Sequence, residues 1–126
     1  MNKMKIAISS DGNNEKANVD ERFGRCPYFV IVDTNRMKFD SMKNEHEHGA
    51  HGVAPQVVQK LSELDIEAVI TGNIGPNGYQ TLKSAEIKAY KGSGKVSEVV
   101  RRFKSGELEE IENQTVKGHH GKGGRR

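Results

Sequence analysis

The stretch GVAPQVVQKLSELDIEAVITGNIGPNGYQTL, from Gly52 to Leu82, decides the fold. Its first part repeats apolar residues at the spacing of one helix face, at Ala54, Val57, Val58, Leu61 and Leu64. This spacing predicts an amphipathic helix over Val53–Leu64, with Pro55 in its first turn. Ala68–Thr71 is short and largely β-branched, which predicts a strand, and Pro76 begins a second helix. A strand between two helices indicates an α/β fold with parallel strand pairing.

Further elements are predicted on both sides of this unit. Before it lie strands at Met4–Ser9, Tyr28–Asp33 and Met37–Lys43, the last two joined by a hairpin turn at Thr34-Asn35-Arg36. The second of these is apolar enough to be buried on both faces, whereas the third alternates and suits a half-exposed edge. After the unit come a strand at Ile87–Tyr90 and a third helix, which is marked by Val96, Val99, Val100 and Phe103 and ends at Gly106. The prediction is a mixed sheet of five strands covered by about three helices.

Charge is distributed unevenly along the 126 residues. All 17 acidic residues precede residue 113, whereas the stretch 113–126 carries only basic charges, at Lys117, Lys122, Arg125 and Arg126. This stretch is rich in Gly and has almost no apolar residues, so it cannot offset its ordering entropy. We predict one domain over residues 1–112 and a disordered basic tail over residues 113–126. The net positive charge then belongs to the tail and does not indicate a basic groove in the domain.

Cysteine usage and hydropathy indicate the cellular setting. One cysteine cannot form an internal disulfide, and nothing in the sequence indicates export. The longest uninterrupted apolar run, Tyr28–Val32, is far shorter than a membrane span requires. We therefore expect a soluble cytoplasmic protein with no membrane partner.

The segment DERFGRCPYF, Asp20–Phe29, holds the single cysteine. Cys26 lies next to Arg25 and four residues after Arg22, and nearby cations favour the thiolate that binds metals. The alternative is that Cys26 is a small, inert core residue. One thiol cannot by itself hold a conventional iron–sulfur cluster, which takes about four ligands.

Histidines gather between the third strand and the first helix, in NEHEHGAHG, Asn44–Gly52. His46 and His48 would point to the same side of an extended segment, and a bend at Gly49 would bring His51 beside them. Three imidazoles could bind zinc, copper or iron in an open site. The alternative is a solvated loop whose histidines never converge.

A glycine-rich turn, TGNIGPNG, leads from the fourth strand into the second helix over Thr71–Gly78. Its three glycines would let a ligand approach the backbone, and free N–H groups at the helix start favour an anion. The alternative is a tight connection and nothing more. The Lys91–Lys95 turn, KGSGK, offers a similar pocket ahead of the third helix, and neither turn has a nucleotide-binding pattern.

No catalytic constellation is visible in the sequence. There is no nucleophile elbow, and no thiol-hydrolase signature surrounds Cys26. Asp11, Asp33 and Asp40 could gather as a metal-binding acidic site, although acids at strand ends usually form turns.

Taken in order, four segments resemble the dinitrogenase iron–molybdenum cofactor biosynthesis family: MKIAISSDG (Met4–Gly12), VDERFGRCPYFVIVD (Val19–Asp33), the Gly52–Leu82 stretch, and IKAYKGSGKVSEVVRRF (Ile87–Phe103). They cover most of residues 4–112, and the Phe-Gly pair followed by the Gly-Pro loop is fairly specific. The resemblance implies a ribonuclease-H-like three-layer fold with strand order 3-2-1-4-5, the second strand being antiparallel to the rest. It also implies binding or carriage of a metal–sulfur cofactor or its precursor rather than turnover.

One position departs from the family pattern. Members that handle the nitrogenase cofactor itself commonly have a histidine before the Phe-Gly pair, where this chain has Arg22. The small stand-alone archaeal and bacterial members are therefore the nearer resemblance, and some of them are similar to orange proteins that hold a molybdenum–copper–sulfide cluster. Such a cluster is anionic and brings its own sulfides, so arginines, helix N-termini and glycine loops could cradle it.

The predicted site combines these segments. The cofactor-binding residues are Arg22, Phe23, Gly24, Arg25 and Cys26 together with Gly72, Asn73 and Gly75. The candidate metal ligands are Cys26, His46, His48 and His51. The predicted cofactor is a metal–sulfur cluster of the iron–molybdenum or molybdenum–copper type.

We predict a non-enzymatic cluster-binding protein whose partners donate or accept a metallocluster, acting as a monomer or weak homodimer. One alternative is an enzyme, either a metal-dependent nuclease-like protein or a thiol redox protein; fold alone does not decide this. Another is a nucleic-acid or partner-binding module that acts through the basic tail. We do not expect nucleic-acid binding by the domain, because basic and aromatic residues are not interleaved there.

Overall fold

The computed structural model describes residues 4–47 and 53–113. The strands are β1 (Lys5–Ser10), β2 (Tyr28–Asp33), β3 (Lys38–Lys43), β4 (Ala68–Thr71), β5 (Lys88–Lys91) and β6 (Glu109–Glu110). The helices are α1 (Val53–Glu63), α2 (Pro76–Ser84) and α3 (Val96–Lys104). Every predicted element is present. The predicted tail lies outside the described residues except for Asn113, and so do His48 and His51.

One mixed sheet runs in the order β3-β2-β1-β4-β5-β6. β1 pairs in parallel with β4 and β4 in parallel with β5, whereas β2 is antiparallel to both β1 and β3. The predicted order of the first five strands is therefore confirmed. The predicted number of strands was wrong, because β6 adds a sixth that pairs antiparallel with β5. It consists of two exposed glutamates and carries no apolar pattern that would reveal a strand.

Helices cover both faces of the sheet. α1 and α2 pack on one face, over a core that includes Phe29, Leu61 and Leu82. α3 packs on the other face, over Ile8, Ile70 and their neighbours. Within the described residues, no helix has the length and apolar character needed to cross a bilayer.

The three connections that carry predicted site residues leave the same edge of the sheet, as does the β5–α3 connection. β1, β3 and β4 all run in one direction, so their carboxyl ends lie together. The β1–β2 connection carries the cysteine segment, the β3–α1 connection carries the histidines, and the β4–α2 connection carries the glycine-rich turn. In open α/β sheets this edge is the usual place for ligands.

Candidate functional site

The cysteine segment and the glycine-rich turn are in direct contact. Arg22 and Asn73 form a parallel β-bridge, and the Asn73 N–H donates a 2.8 Å hydrogen bond to the Glu21 carbonyl. A Cβ atom on Gly72 would lie 2.8 Å from the Glu21 Cα, so a side chain at residue 72 would push the two segments apart. The structure therefore brings together two of the predicted parts of the site.

Two buried hydroxyl groups fasten the cysteine segment to the strands below it. The Ser9 Oγ lies 2.7 Å from the Asp20 carbonyl oxygen and 2.8 Å from the Thr71 Oγ1. The Asp20 N–H in turn donates to the Ser9 carbonyl at 2.8 Å. Ser9 and Thr71 are both completely buried, so these bonds join β1, β4 and the loop without competition from water.

Arg22 is held by Asp20 in a bidentate ion pair. The Arg22 Nε donates to Asp20 Oδ1 at 3.0 Å, the Nη2 donates to Oδ2 at 2.9 Å, and the Arg22 backbone N–H also reaches Oδ1 at 2.9 Å. Burial by itself would raise the pKa of the Asp20 carboxyl, but the hydrogen bonds from Arg22 outweigh it and bring that pKa below its ordinary value. The Asp20 side chain is 10% exposed and that of Arg22 is 61% exposed.

Phe23 and Gly24 lie between the starts of α1 and α2. A Cβ atom on Gly78, in the first turn of α2, would lie 3.3 Å from a Phe23 ring carbon, and Phe23 also packs edge-on against Phe29. Gly24 has φ of +90°, a conformation that residues with side chains rarely adopt. A Cβ added to Gly24 would lie 3.7 Å from the side chain of Val53, the first residue of α1.

Cys26 lies inside the apolar core, with no exposed surface. Burial raises the pKa of the Cys26 thiol to about 12 and outweighs nearby backbone N–H groups that favour the thiolate. The sequence left two interpretations of Cys26 open, and its complete burial fits an inert core residue better than a thiolate favoured by Arg22 and Arg25. Proximity in sequence to Arg22 and Arg25 suggested the thiolate, whereas desolvation dominates in the folded chain.

Asn44 is a functional candidate that sequence reasoning missed. Its side chain is almost fully buried and donates hydrogen bonds of 2.8 Å to the carbonyls of both Gly24 and Cys26. The same amide accepts a 3.0 Å bond from the His46 N–H. Asn44 thus ties the start of the histidine segment to the cysteine segment. A polar residue directly after an edge strand is a weak signal of such a role, because its burial cannot be read from the pattern.

Of the three clustered histidines, only His46 is among the described residues. It lines a groove of about 240 Å³ between β3 and α1, together with Asn44, Glu45 and Gln56. Both ends of the connection that carries His48 and His51 lie beside Gly24, at Asn44 and at Val53. Among the residues that the structure describes, no three His, Cys, Asp or Glu side chains are grouped as a metal site.

The start of α2 is suited to an anion. Gly75 is the N-cap residue, with no side-chain hydrogen bond to the helix and no acidic residue in the first turn. A Cβ on Gly75 would meet nothing within 4 Å, whereas those on Gly72 and Gly78 would meet close neighbours. Only Gly75 among these three glycines therefore leaves space for a ligand at the helix N-terminus.

The start of α3 is not open to an anion in the same way. The N–H groups of Val96 and Ser97 donate to the carbonyls of Ala17 and Glu15 at 2.9 and 3.0 Å. The Lys91–Lys95 turn was predicted to resemble the Thr71–Gly78 turn. This prediction is wrong for the helix N-terminus, because the first N–H groups of α3 already have carbonyl partners. A crevice of about 490 Å³ does open beside this turn, lined by Glu21, Asn73, Lys91 and Arg102 among others.

The acidic residues considered as a metal-binding site, Asp11, Asp33 and Asp40, do not gather. The Asp11 carboxylate accepts a hydrogen bond from the Asn18 N–H, and the Asp33 carboxylate accepts bonds from two N–H groups of the β2–β3 turn. Asp33 pairs with Lys5 at the start of β1, whereas Asp11 follows the end of that strand. These carboxylates therefore stabilise turns at opposite edges of the sheet.

Comparison with known proteins gives a consistent result. A family model described as "Dinitrogenase iron-molybdenum cofactor" matches residues 4–106. An uncharacterized protein of Methanocaldococcus jannaschii is 31% identical over 113 residues, which cover 86% of this chain and 92% of the relative.

Solved structures resemble this chain over most of their length. The apo form of the orange protein from Desulfovibrio gigas has a TM-score of 0.86 at 29% identity, with 91% of this chain and 98% of that chain covered. The NMR structure of a Thermotoga protein provisionally assigned as NifB has a TM-score of 0.79 at 37% identity, with 90% and 97% covered.

Proposed function

Because the chain belongs to the dinitrogenase iron–molybdenum cofactor family, we propose that it binds or carries a metal–sulfur cofactor or its precursor without turning it over. The iron–molybdenum and molybdenum–copper types are the candidate clusters, and proteins that donate or accept the cluster are the expected partners. We assign the fold to the ribonuclease-H-like class. The strand order 3-2-1-4-5, which the family resemblance implies, supports this assignment.

The Arg22–Asn73 bridge is the observation that carries this proposal. It sets the Arg22–Cys26 segment against the Gly72–Gly75 turn, next to the open start of α2. The open start of α2, an exposed guanidinium and a glycine with free space are features that recognise an anion. An inorganic cluster with terminal sulfides is an anion of this kind.

We assign the predicted residues different roles in this site. Arg22 and Arg25 attract the cluster by charge, and the backbone at Asn73 and Gly75 approaches it closely. Phe23 and Gly24 shape the wall between α1 and α2. The assignments of Phe23, Gly24, Asn73 and Gly75 and that of Arg22 rest on the contacts described above, whereas that of Arg25 rests on its place next to Cys26 in the sequence.

Cys26 is the one thiol in the described residues, and because it is buried it can bond a metal only after two changes. The residues that cover it must move, and its proton must leave, because the pKa of the thiol is about 12. We therefore propose that any bond from Cys26 to a metal forms only as the cluster enters.

The histidine connection supplies a further set of donors in the proposal. Its two ends are anchored beside Gly24, so His46, His48 and His51 belong to a segment that starts and finishes at the site. Changing all three to Asn should lower the uptake of copper or iron, and unchanged uptake would remove them from the proposed site.

The decisive experiment measures metal and acid-labile sulfide in protein purified without oxygen. The protein is then reconstituted with tetrathiomolybdate plus copper, or with iron–molybdenum cofactor. We expect stoichiometric metal and a visible absorption band that stays with the protein on gel filtration. Substoichiometric metal and no absorption after both reconstitutions would refute the carrier function.

A further inference from the structure

Arg22, which would attract an anionic ligand, is paired with the negatively charged Asp20. Its guanidinium is neutralised in part by Asp20, and a carboxylate at this place repels the same anion that Arg22 attracts. If charge alone mattered, the site would bind an anion more tightly without Asp20. The presence of a bidentate pair at distances of 2.9 and 3.0 Å requires another explanation.

The backbone of Asp20 is itself fixed by Ser9. Its backbone N–H donates to the Ser9 carbonyl at 2.8 Å, and its own carbonyl oxygen lies 2.7 Å from the Ser9 hydroxyl. Ser9 belongs to the buried strand β1 and lies 2.8 Å from Thr71 of β4. The carboxylate is thus held against the sheet, while the Arg22 side chain that it binds is 61% exposed.

The ion pair with Asp20 uses one edge of the Arg22 guanidinium. The Nε and one Nη2 hydrogen point to Asp20, which leaves the Nη1 donors and the other Nη2 hydrogen on the far side of the fork. A free arginine side chain loses rotamer freedom when it binds a ligand, and a pre-positioned one loses much less. The ion pair with Asp20 therefore fixes the direction in which the remaining donors of Arg22 point.

We propose that Asp20 is the positioning residue of this site: it holds the Arg22 guanidinium so that the N–H donors not used by Asp20 meet the anionic ligand. The inference rests on the proposed function and deepens it. It makes a prediction of unusual sign: removing a negative charge from the site weakens the binding of an anion.

The experiment measures the affinity of the full chain for tetrathiomolybdate by equilibrium dialysis without oxygen. Asp20→Ala should bind about tenfold more weakly than wild type, the loss that corresponds to about one charge-assisted hydrogen bond. Glu98→Ala is the matched control, because it removes the same charge from the Glu98–Arg102 pair on α3, where the charged atoms are 3.8 Å apart. Its affinity should stay at or slightly above the wild-type value.

A double-mutant cycle separates positioning from a structural effect. In the Arg22→Gln background, Asp20→Ala should no longer weaken binding, because there is no fork left to position. Asp20→Asn, which keeps one acceptor oxygen, should bind with intermediate affinity and covers the case in which the alanine variant does not fold. An unchanged or tighter affinity in the folded Asp20 variants overturns the positioning role and leaves the proposed function standing. Absence of binding by wild type, with or without copper, overturns the proposed function and this inference together.

Discussion

Replacing Gly75 by Asp separates the stability of the fold from the affinity of the site. Gly75 is the N-cap of α2 with φ −84° and ψ 178°, a backbone conformation open to any residue. Its Cβ would meet no atom within 4 Å, so the substitution causes no clash. Asp is a preferred N-cap residue, so the free energy of unfolding should stay equal or rise by a few tenths of a kcal/mol.

The same carboxylate should impair binding of an anion at the start of α2. A unit charge about 6 Å from another, at an effective dielectric constant of about 40, costs about 1.4 kcal/mol, which is roughly tenfold in affinity. A cluster with several negative charges would lose more. The carboxylate that Gly75→Asp introduces would also accept hydrogen bonds from the helix N–H groups that the ligand needs.

The assay compares tetrathiomolybdate binding to wild type, Gly75→Asp and Gly75→Asn at low and high salt. Asn has nearly the same shape and capping ability as Asp but no charge, so Gly75→Asn should bind much more tightly than Gly75→Asp. Their difference should shrink at high salt because screening weakens the repulsion. Equal affinities of the Asp and Asn variants, with equal stability in urea, would show that the anion does not lie at the start of α2.

Four other changes test the surrounding structure. Asn44→Ala should lower the free energy of unfolding by about 2–3 kcal/mol in urea, because it leaves two carbonyls of the cysteine segment without their donor. The Cys26 thiol should react with iodoacetamide at pH 8 only after unfolding, because it is buried and its pKa is raised. Cys26→Ser should lose cluster retention while keeping the fold. If this variant retains the cluster fully, Cys26 is only a core residue. Removal of residues 113–126 should change the melting temperature by no more than about 2 °C and abolish any nucleic-acid affinity. Affinity that survives would place the nucleic-acid site in the domain. Because the pKa of Asp20 is lowered in the folded chain, its ion pair with Arg22 should stabilise the fold at pH values above the ordinary carboxyl pKa of 3.8. This stabilisation should be lost as the pH falls through the lower pKa of the folded chain. Arg22→Gln should abolish that part of the acid unfolding transition.

The fold could be predicted from sequence because its signals are local. The period of apolar residues in Val53–Leu64 and the β-branched run of Tyr28–Asp33 each identify an element without knowledge of its neighbours. The sixth strand has no such signal, since Glu109–Glu110 pairs with β5 through backbone groups alone. Strands of two residues depend on the partner edge that is already present, and their side chains do not reveal them.

The contact between the two segments could be predicted from the sequence, but their side-chain chemistry could not. The meeting of the cysteine segment and the glycine-rich turn follows from parallel strands ending at one edge. The sequence leaves the state of Cys26 open, because the charges adjacent in sequence favour a thiolate whereas desolvation in the folded chain opposes it. The roles of Ser9 and Asn44 also depend on partners 62 and 20 residues away, which no local pattern contains.

The described part of the site offers hydrogen-bond donors more readily than metal ligands. The Cys26 thiol is buried and its pKa is raised, the His46 imidazole lines the groove between β3 and α1, and the exposed Arg22 guanidinium cannot coordinate a metal. An arrangement of this kind favours a preformed anion over a bare cation, because the anion brings acceptor atoms for the guanidinium and for the N–H groups of α2. Coordination by Cys26 would then follow binding instead of causing it, since the metal must displace a proton from a buried sulfur. The order of these two events is what distinguishes a carrier that captures assembled clusters from a site that builds them one metal at a time.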